Sequence, residues 1–266
     1  MAQRLVSGVA PTPHSPKGRG KFGGYGWVPD LPDTRDALYA APLMTVRALP
    51  TKVNLQPECP GVYNQGQLGS CTANAIAAAV EFVHKPRLMP SRLFIYYNER
   101  VIEGTVNSDS GAQLRDGIKS VSTTGVCPET DWPYDIAKFQ EKPSGKAFSD
   151  AAKTKATVYY KIAQDVTEMK GCLTEGFPFV FGFTVYNYFE TPQVANTGVV
   201  RLPTTRDTVI GGHAVMAVGY DDNAQTFRIR NSWGAKWGQR GYFTMPYAYL
   251  MSPHLASDFW TIRKEE

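Results

Sequence analysis

A cysteine, a histidine and an asparagine, each in a distinctive local setting, carry the chemistry this chain is equipped to do. Cys71 closes the run Gln65-Gly66-Gln67-Leu68-Gly69-Ser70-Cys71, His213 sits in Gly212-His213-Ala214-Val215, and Asn231 in Arg230-Asn231-Ser232-Trp233-Gly234. One thiol at the start of an apolar helix, with an imidazole and a carboxamide far downstream, is the pattern of an activated nucleophile. A free thiol has a pKa of about 8.5 and is mostly protonated at neutral pH. A helix N-terminus at Cys71 favours the thiolate, and the His213 imidazole beside it completes a thiolate–imidazolium pair. Asn231 is suited to accept the second imidazole proton and hold the ring, with Trp233 shielding that bond from water. The Gln65 side-chain NH2, with the Cys71 backbone N–H, suits the oxyanion formed when a thiolate attacks a carbonyl. Gly66 and Gly69 allow the loop a close approach to a substrate backbone. Ser70, Gly212 and Ala214 flank the reacting groups.

These groups need helices on one side and strands on the other. From Cys71, the spacing of Ala73, Ile76, Ala77, Val80 and Val83 predicts a helix with one buried stripe, ended by Pro86. Ser91 caps a second helix carrying Phe94, Tyr97 and Val101. A third runs near Ala112 to Ser122 and stops at Gly125. After about Thr154 the pattern changes to strands, apart from a short helix bounded by Asp165, Glu168 and Gly176. Phe177 to Val185 and His213 to Tyr220 read as strands. Phe227 and Ile229 alternate with Arg228 and Arg230 as in a half-buried antiparallel strand. Helices first and strands second imply an α+β protein of two lobes: a helical lobe over about 70–153, a β-barrel-like lobe over about 154–250, and a tail over 251–266.

Residues 1–48 differ in kind, being rich in Pro and Gly around Pro11, Pro13, Pro16 and the stretch Gly18 to Gly26, which blocks helix and central strand. Residues 1 to 20 fit a solvated tail. From Tyr25, the anchors Trp27, Leu31, Leu38 and Tyr39 point to an extended arm docked on the body.

The whole chain narrows the class. It has 266 residues, 42% of them hydrophobic, with a net charge of +4. That charge is too small to argue for nucleic acid, and no apolar run approaches the roughly 18 residues of a membrane span. Met1 to Val9 lacks the apolar core of a secretory signal, so the reading is a cytoplasmic protein, or one exported without a standard signal, acting as a monomer. Of the four cysteines, Cys59, Cys127 and Cys172 remain beside the nucleophile and allow at most one disulfide. No pair stands at zinc-ligand spacing, so neither metal nor cofactor is expected.

The windows around Cys71, His213 and Asn231-Ser232-Trp233-Gly234-Ala235-Lys236-Trp237-Gly238-Gln239-Arg240-Gly241-Tyr242 resemble the papain-like cysteine peptidases. Pro50 to Leu55 looks like the start of a mature domain, and Trp132-Pro133-Tyr134 like the segment before the second lobe. The likeness covers about residues 50–262 of a domain spanning 49–266. It implies a two-lobed fold with the site between the lobes, Cys71 as nucleophile, His213 as base, Asn231 as its orienter and Gln65 as oxyanion donor. Three features depart from the pattern: Leu68 stands for a disulfide cysteine and Thr72 for an aromatic, only Gly111 matches the family's Gly-Gly substrate-binding strand, and the arm before residue 50 is too short and too rich in Pro and Gly to be the helical inhibitory pro-domain common in the family. The substrate-binding segment reads Asp109-Ser110-Gly111-Ala112. Ala214 resembles a specificity-pocket position, and Asp258 in Ser257-Asp258-Phe259 supplies that pocket's far wall and favours a basic group.

The resulting expectation is an endopeptidase acting on protein or peptide substrates through an acyl-thioenzyme. A transpeptidase or cell-wall amidase with the same site, and a catalytically silent binding protein, are the alternatives. The arm before residue 49, especially Tyr25 to Asp36, is expected to lie in or near the cleft and limit access.

Overall fold

The computed structural model describes residues 20 to 265. The tail read over residues 1 to 20 lies outside them except for Gly20, as does Met1 to Val9. The described chain begins as an extended arm ending in the short helix α1 (Leu43–Arg47), followed by a three-residue strand, β1 (Lys52–Asn54). The helical lobe holds α2 (Cys71–Val83), α3 (Arg92–Glu103), α4 (Leu114–Thr123) and α5 (Gly145–Ala151). Then come β2 (Ala156–Lys161), α6 (Val166–Thr174), β3 (Phe179–Tyr186), α7 (Pro192–Thr197), β4 (Val209–Asp221), β5 (Thr226–Arg230), β6 (Tyr242–Pro246), α8 (Tyr247–Leu250) and β7 (Ala256–Glu265).

Local chemistry accounts for the helix ends. The Ser91 side chain accepts from the Phe94 N–H to cap α3, and Gly104 closes it in the left-handed region. Asp165 accepts from Thr167 and Glu168 N–H groups to open α6. Helix α2 departs from the expected single stripe, since every residue from Cys71 to Val80 is buried. Its run of alanines leaves thin walls on all sides, so α3, α4 and the sheet pack around it. That central course carries Cys71 to the seam between the lobes.

The sheet is antiparallel throughout, in the order β2-β7-β3-β4-β5-β6, with β1 added against β4. It does not close, which corrects the barrel-like expectation. Short segments cap its two edges instead of the edges meeting each other. At β2, Tyr39 N–H donates to the Lys161 carbonyl and Lys161 N–H to that of Ala37. At β6, Val200 N–H donates to Thr244, and Thr244 N–H to Gly198. The expected tail over 251–266 is also corrected: β7 lies inside the sheet between β2 and β3, with Phe259, Trp260 and Ile262 buried. Arg230, read as solvent-facing, is buried because its guanidinium stacks on Tyr63 and donates to the Gly61 carbonyl at 2.6 Å. All four cysteines are free thiols.

Candidate active site

Cys71 is the first residue of α2, and its sulfur lies against the backbone N–H groups of Ala214 on β4 and Gly26 on the arm. His213, the residue before Ala214, is held mid-strand by pairing with Phe183 on β3. Asn231 follows β5, which pairs with β4 through Met216 and Arg230. The lobes therefore bring thiol and imidazole to one seam. His213 Nε2 lies 2.8 Å from Asn231 Oδ1, which also accepts from the Ser232 N–H at 2.8 Å. An oxygen that accepts fixes the proton on Nε2 and leaves the Nδ1 lone pair free to take a proton. Nδ1 is buried without a hydrogen-bond partner among the described residues. The Trp233 ring lies 4.9 Å from the imidazole, inclined by 31°.

Gln65 is held at its backbone by the Ser232 carbonyl (2.9 Å) and at its side-chain oxygen by the Ser232 hydroxyl (2.6 Å). That fixes the direction of its NH2, which donates to the carbonyls of Gly24 and Leu68, both at 3.0 Å. The first of these acceptors belongs to the arm. The arm crosses the whole seam: Trp27 N–H donates to the Gly212 carbonyl at 3.1 Å, Ala112 N–H to Gly26 at 2.8 Å, and Val28 N–H to Ala112 at 3.0 Å. Gly111 adopts φ +68°, and a methyl group there would overlap the Gly26 carbonyl, so only glycine admits the arm so closely.

Two arm aromatics fill the cleft. The Tyr25 ring meets His213 edge-on at 6.1 Å, and its hydroxyl donates to Glu190 at 2.7 Å. The Trp27 indole occupies the space left by the missing side chains of Gly182 and Gly212, and its Nε1 donates to Asp258 Oδ2 at 3.1 Å. Asp258 reaches this position from a backbone with φ +60°, where the β3–β7 register shifts. The same oxygen accepts from the Asp30 N–H at 2.9 Å. Asp30 in turn accepts from Trp260 Nε1 (2.9 Å) and the Arg115 N–H (3.0 Å), and Arg115 pairs with Asp36 at 2.6 Å.

Burial sets the protonation of this closed site. It pushes the Cys71 thiol up to about 12, against the pull of the Ala214 and Gly26 N–H groups. It pushes His213 down to about 4, against the Asn231 hydrogen bond. Beneath the arm, burial therefore favours the neutral thiol and the neutral imidazole.

Most of the residues singled out from the sequence converge here: Gln65, Gly69, Cys71, Ala112, Gly212, His213, Ala214, Asn231, Trp233 and Asp258. Two behave differently. Ser70 turns its hydroxyl to Tyr134 and Asn74 in place of the cleft. Gly111 gives its N–H to the Tyr96 hydroxyl, leaving the backbone pairing with the arm to Ala112. The roles of Asp30, Glu190 and Tyr134 were not read. Tyr134 carries a signal as part of Trp132-Pro133-Tyr134, and Asp30 as part of the Tyr25 to Asp36 stretch expected at the cleft.

The profile of the papain family cysteine proteases matches residues 49–255. The chain belongs to the papain family. Among individual relatives, an uncharacterised peptidase C1-like protein of Acanthamoeba polyphaga mimivirus is 42% identical over 90% of this chain and 86% of its own length. The structure of xylellain, a cysteine protease from Xylella fastidiosa, superposes with a TM-score of 0.86 at 49% identity, covering 92% of this chain and 98% of that one. Procathepsin B of Trypanosoma congolense shares the fold at 18% identity and a TM-score of 0.69, over 84% of this chain and 82% of that one. This papain-family chain is thus a cysteine-type peptidase that hydrolyses peptide bonds. The departures from the family pattern at Leu68 and Thr72 are absorbed locally. Leu68 is buried and presents its carbonyl to Gln65, while the Thr72 hydroxyl donates to the buried carboxyl of Glu99 at 2.8 Å.

Proposed function

We propose that Cys71 is the nucleophile of an endopeptidase, with His213 as base, Asn231 as orienter, and Gln65 with the Cys71 N–H as oxyanion donors. His213 Nδ1 takes the thiol proton, the sulfur attacks the scissile carbonyl, and the imidazolium returns the proton to the leaving amine. Water then hydrolyses the acyl-thioenzyme. The observation that carries this reading is the 2.8 Å bond from His213 Nε2 to Asn231 Oδ1, which leaves a bare Nδ1 at the seam where the Cys71 sulfur lies. Gln65→Ala is expected to lower kcat by about 10²–10³ with KM little changed. Iodoacetamide alkylation of Cys71, which forms no oxyanion, should keep its rate in a chain starting at Leu43, where the bond from Gln65 to the Gly24 carbonyl of the arm plays no part. A kcat within threefold of the unaltered chain removes Gln65 from the mechanism.

The arm is read as an inhibitory segment lying where a substrate lies, with Trp27 in the pocket that Asp258 floors. The pocket suits a large side chain ending in a donor or positive charge. Procathepsin B, named as a proform, offers a parallel for a segment preceding a papain-like domain.

Docking of the arm also depends on pH. Burial, then the neighbouring Asp258 charge, pushes Asp30 up to about 7, and burial raises Asp258 as well; Arg115 and, for Asp258, Lys161 act in the opposite direction. In a released arm, Asp30 returns to about 3.9. At Asp30 the docked state therefore binds more protons, whereas His213, held down to about 4 beneath the arm, binds fewer below its free value of about 6.5. The two oppose each other in acid, so docking loosens chiefly as pH rises from about 6.5 through 7. The kcat/KM ratio of the full chain to a chain starting at Leu43 is expected to climb several-fold between pH 5 and 8, and less in Asp30→Asn. A ratio independent of pH in the unaltered pair contradicts the coupling.

A further inference from the structure

The loop from Gln65 to Cys71 carries both oxyanion donors, and they stand at opposite ends of it. Their spacing must be held from outside the loop, because its glycines do not stiffen it. One side chain touches both ends. The Tyr134 hydroxyl donates to the Gln65 backbone carbonyl at 2.9 Å and lies 2.5 Å from Ser70 Oγ, on the residue before Cys71. Because the Gln65 carbonyl only accepts, the Tyr134 proton goes there, and Ser70 must donate to Tyr134. Asn74 Nδ2 then donates to Ser70 Oγ at 3.1 Å. The result is a one-way chain, Asn74 to Ser70 to Tyr134 to Gln65, in which each bond polarises the next.

The ring is itself clamped. The Arg92 guanidinium stacks on it at 4.1 Å and pairs with Glu129 at 2.6 Å. The same Glu129 oxygen accepts the Tyr134 N–H at 3.1 Å.

We infer that Tyr134 is a positioning residue for the oxyanion donors, setting the separation of the Gln65 amide from the Cys71 N–H without touching substrate. The inference rests on the proposed role of Gln65. Misplacement by a fraction of an ångström is enough to weaken a bond that must form at the transition state.

The test uses the full-length chain and two rates on each variant: kcat on a saturating peptide substrate, and alkylation of Cys71 by iodoacetamide. Both reactions need the thiol exposed, but only the first passes through an oxyanion. Tyr134→Phe is expected to lower kcat by about 10–100-fold with KM little changed, and to leave alkylation within twofold. Ser70→Ala, which leaves the ring in place, should show the same split at smaller size. In a Gln65→Ala background, Tyr134→Phe should have little further effect on kcat. Equal loss in both rates makes Tyr134 a merely structural residue and overturns the inference. So does an unchanged kcat in Tyr134→Phe when Gln65→Ala is impaired, or full additivity of the two substitutions. An unchanged kcat in Gln65→Ala overturns the underlying reading, and the inference with it.

Discussion

Cys71→Ala is expected to lower kcat on a peptide substrate by about 10⁶, leaving only what the oxyanion donors and substrate binding supply over water. At 1.36 kcal/mol per decade, this corresponds to about 8 kcal/mol of transition-state stabilisation. The size reflects loss of the whole covalent route, since His213 and Asn231 have no other nucleophile to serve. His213→Ala should be almost as inactive, and the pair together no worse than either alone, because both act in one step. Cys71→Ala should resist labelling by a peptide epoxide or chloromethyl ketone that reacts with the unaltered chain. Peptidase activity within a hundredfold of the unaltered chain would falsify the assignment of the nucleophile.

A chain starting at Leu43 is expected to show a kcat/KM about 10³ above that of the full chain. Tyr25 and Trp27 are both buried in the seam, and burial of a large side chain contributes about 1.5–3 kcal/mol. Opening that costs about 4 kcal/mol overall leaves one molecule in about 10³ competent, and apparent affinity falls by that fraction. The thiol supplies a second readout. Under the arm, burial holds it up near 12, so few molecules carry a thiolate at pH 7, and alkylation should rise steadily with pH up to at least 9. Without the arm, water reaches the seam and solvates the thiolate and imidazolium, so the rate should already level off near neutrality. Melting temperatures of both chains guard against a trivial loss of fold, because Arg115 loses its Asp36 partner in the shorter one. Equal kcat/KM values for two folded chains would remove the arm from the regulation of this peptidase.

The site was more legible in the sequence than the fold around it. Cys71, His213 and Asn231 each lie in short windows whose residue types already state a role, and distance along the chain does not blur them. Helices α3 and α4 were visible through their periodicity, and Asp165 through its place before α6. Harder to read were features created by tertiary contact. The arm has no period to follow, so the aromatics in Tyr25 to Asp36 suggested docking but not its hydrogen bonds to Ala112 and Gly212. Strand β7 was taken for a tail, yet it lies between two other strands. Arg230 looked like an outward residue of an alternating strand until Tyr63 supplied a ring to stack on. Asp258 owes its aim to a register shift that pattern alone does not reveal.

The arm is joined to the domain it covers, so its occupancy of the cleft does not depend on how much protein is present. A covalently attached occupant acts at an effective concentration of order millimolar. Dilution should therefore leave the closed fraction unchanged, whereas a separate peptide copying the Gly24 to Asp30 stretch must reach comparable levels to match a closure of about 10³, and about a thousandth of them to half-block a truncated chain. On the proposed inhibitory role of the arm, activation calls for an agent that cuts or pulls it, or for a substrate abundant enough to outcompete a neighbour that never diffuses away.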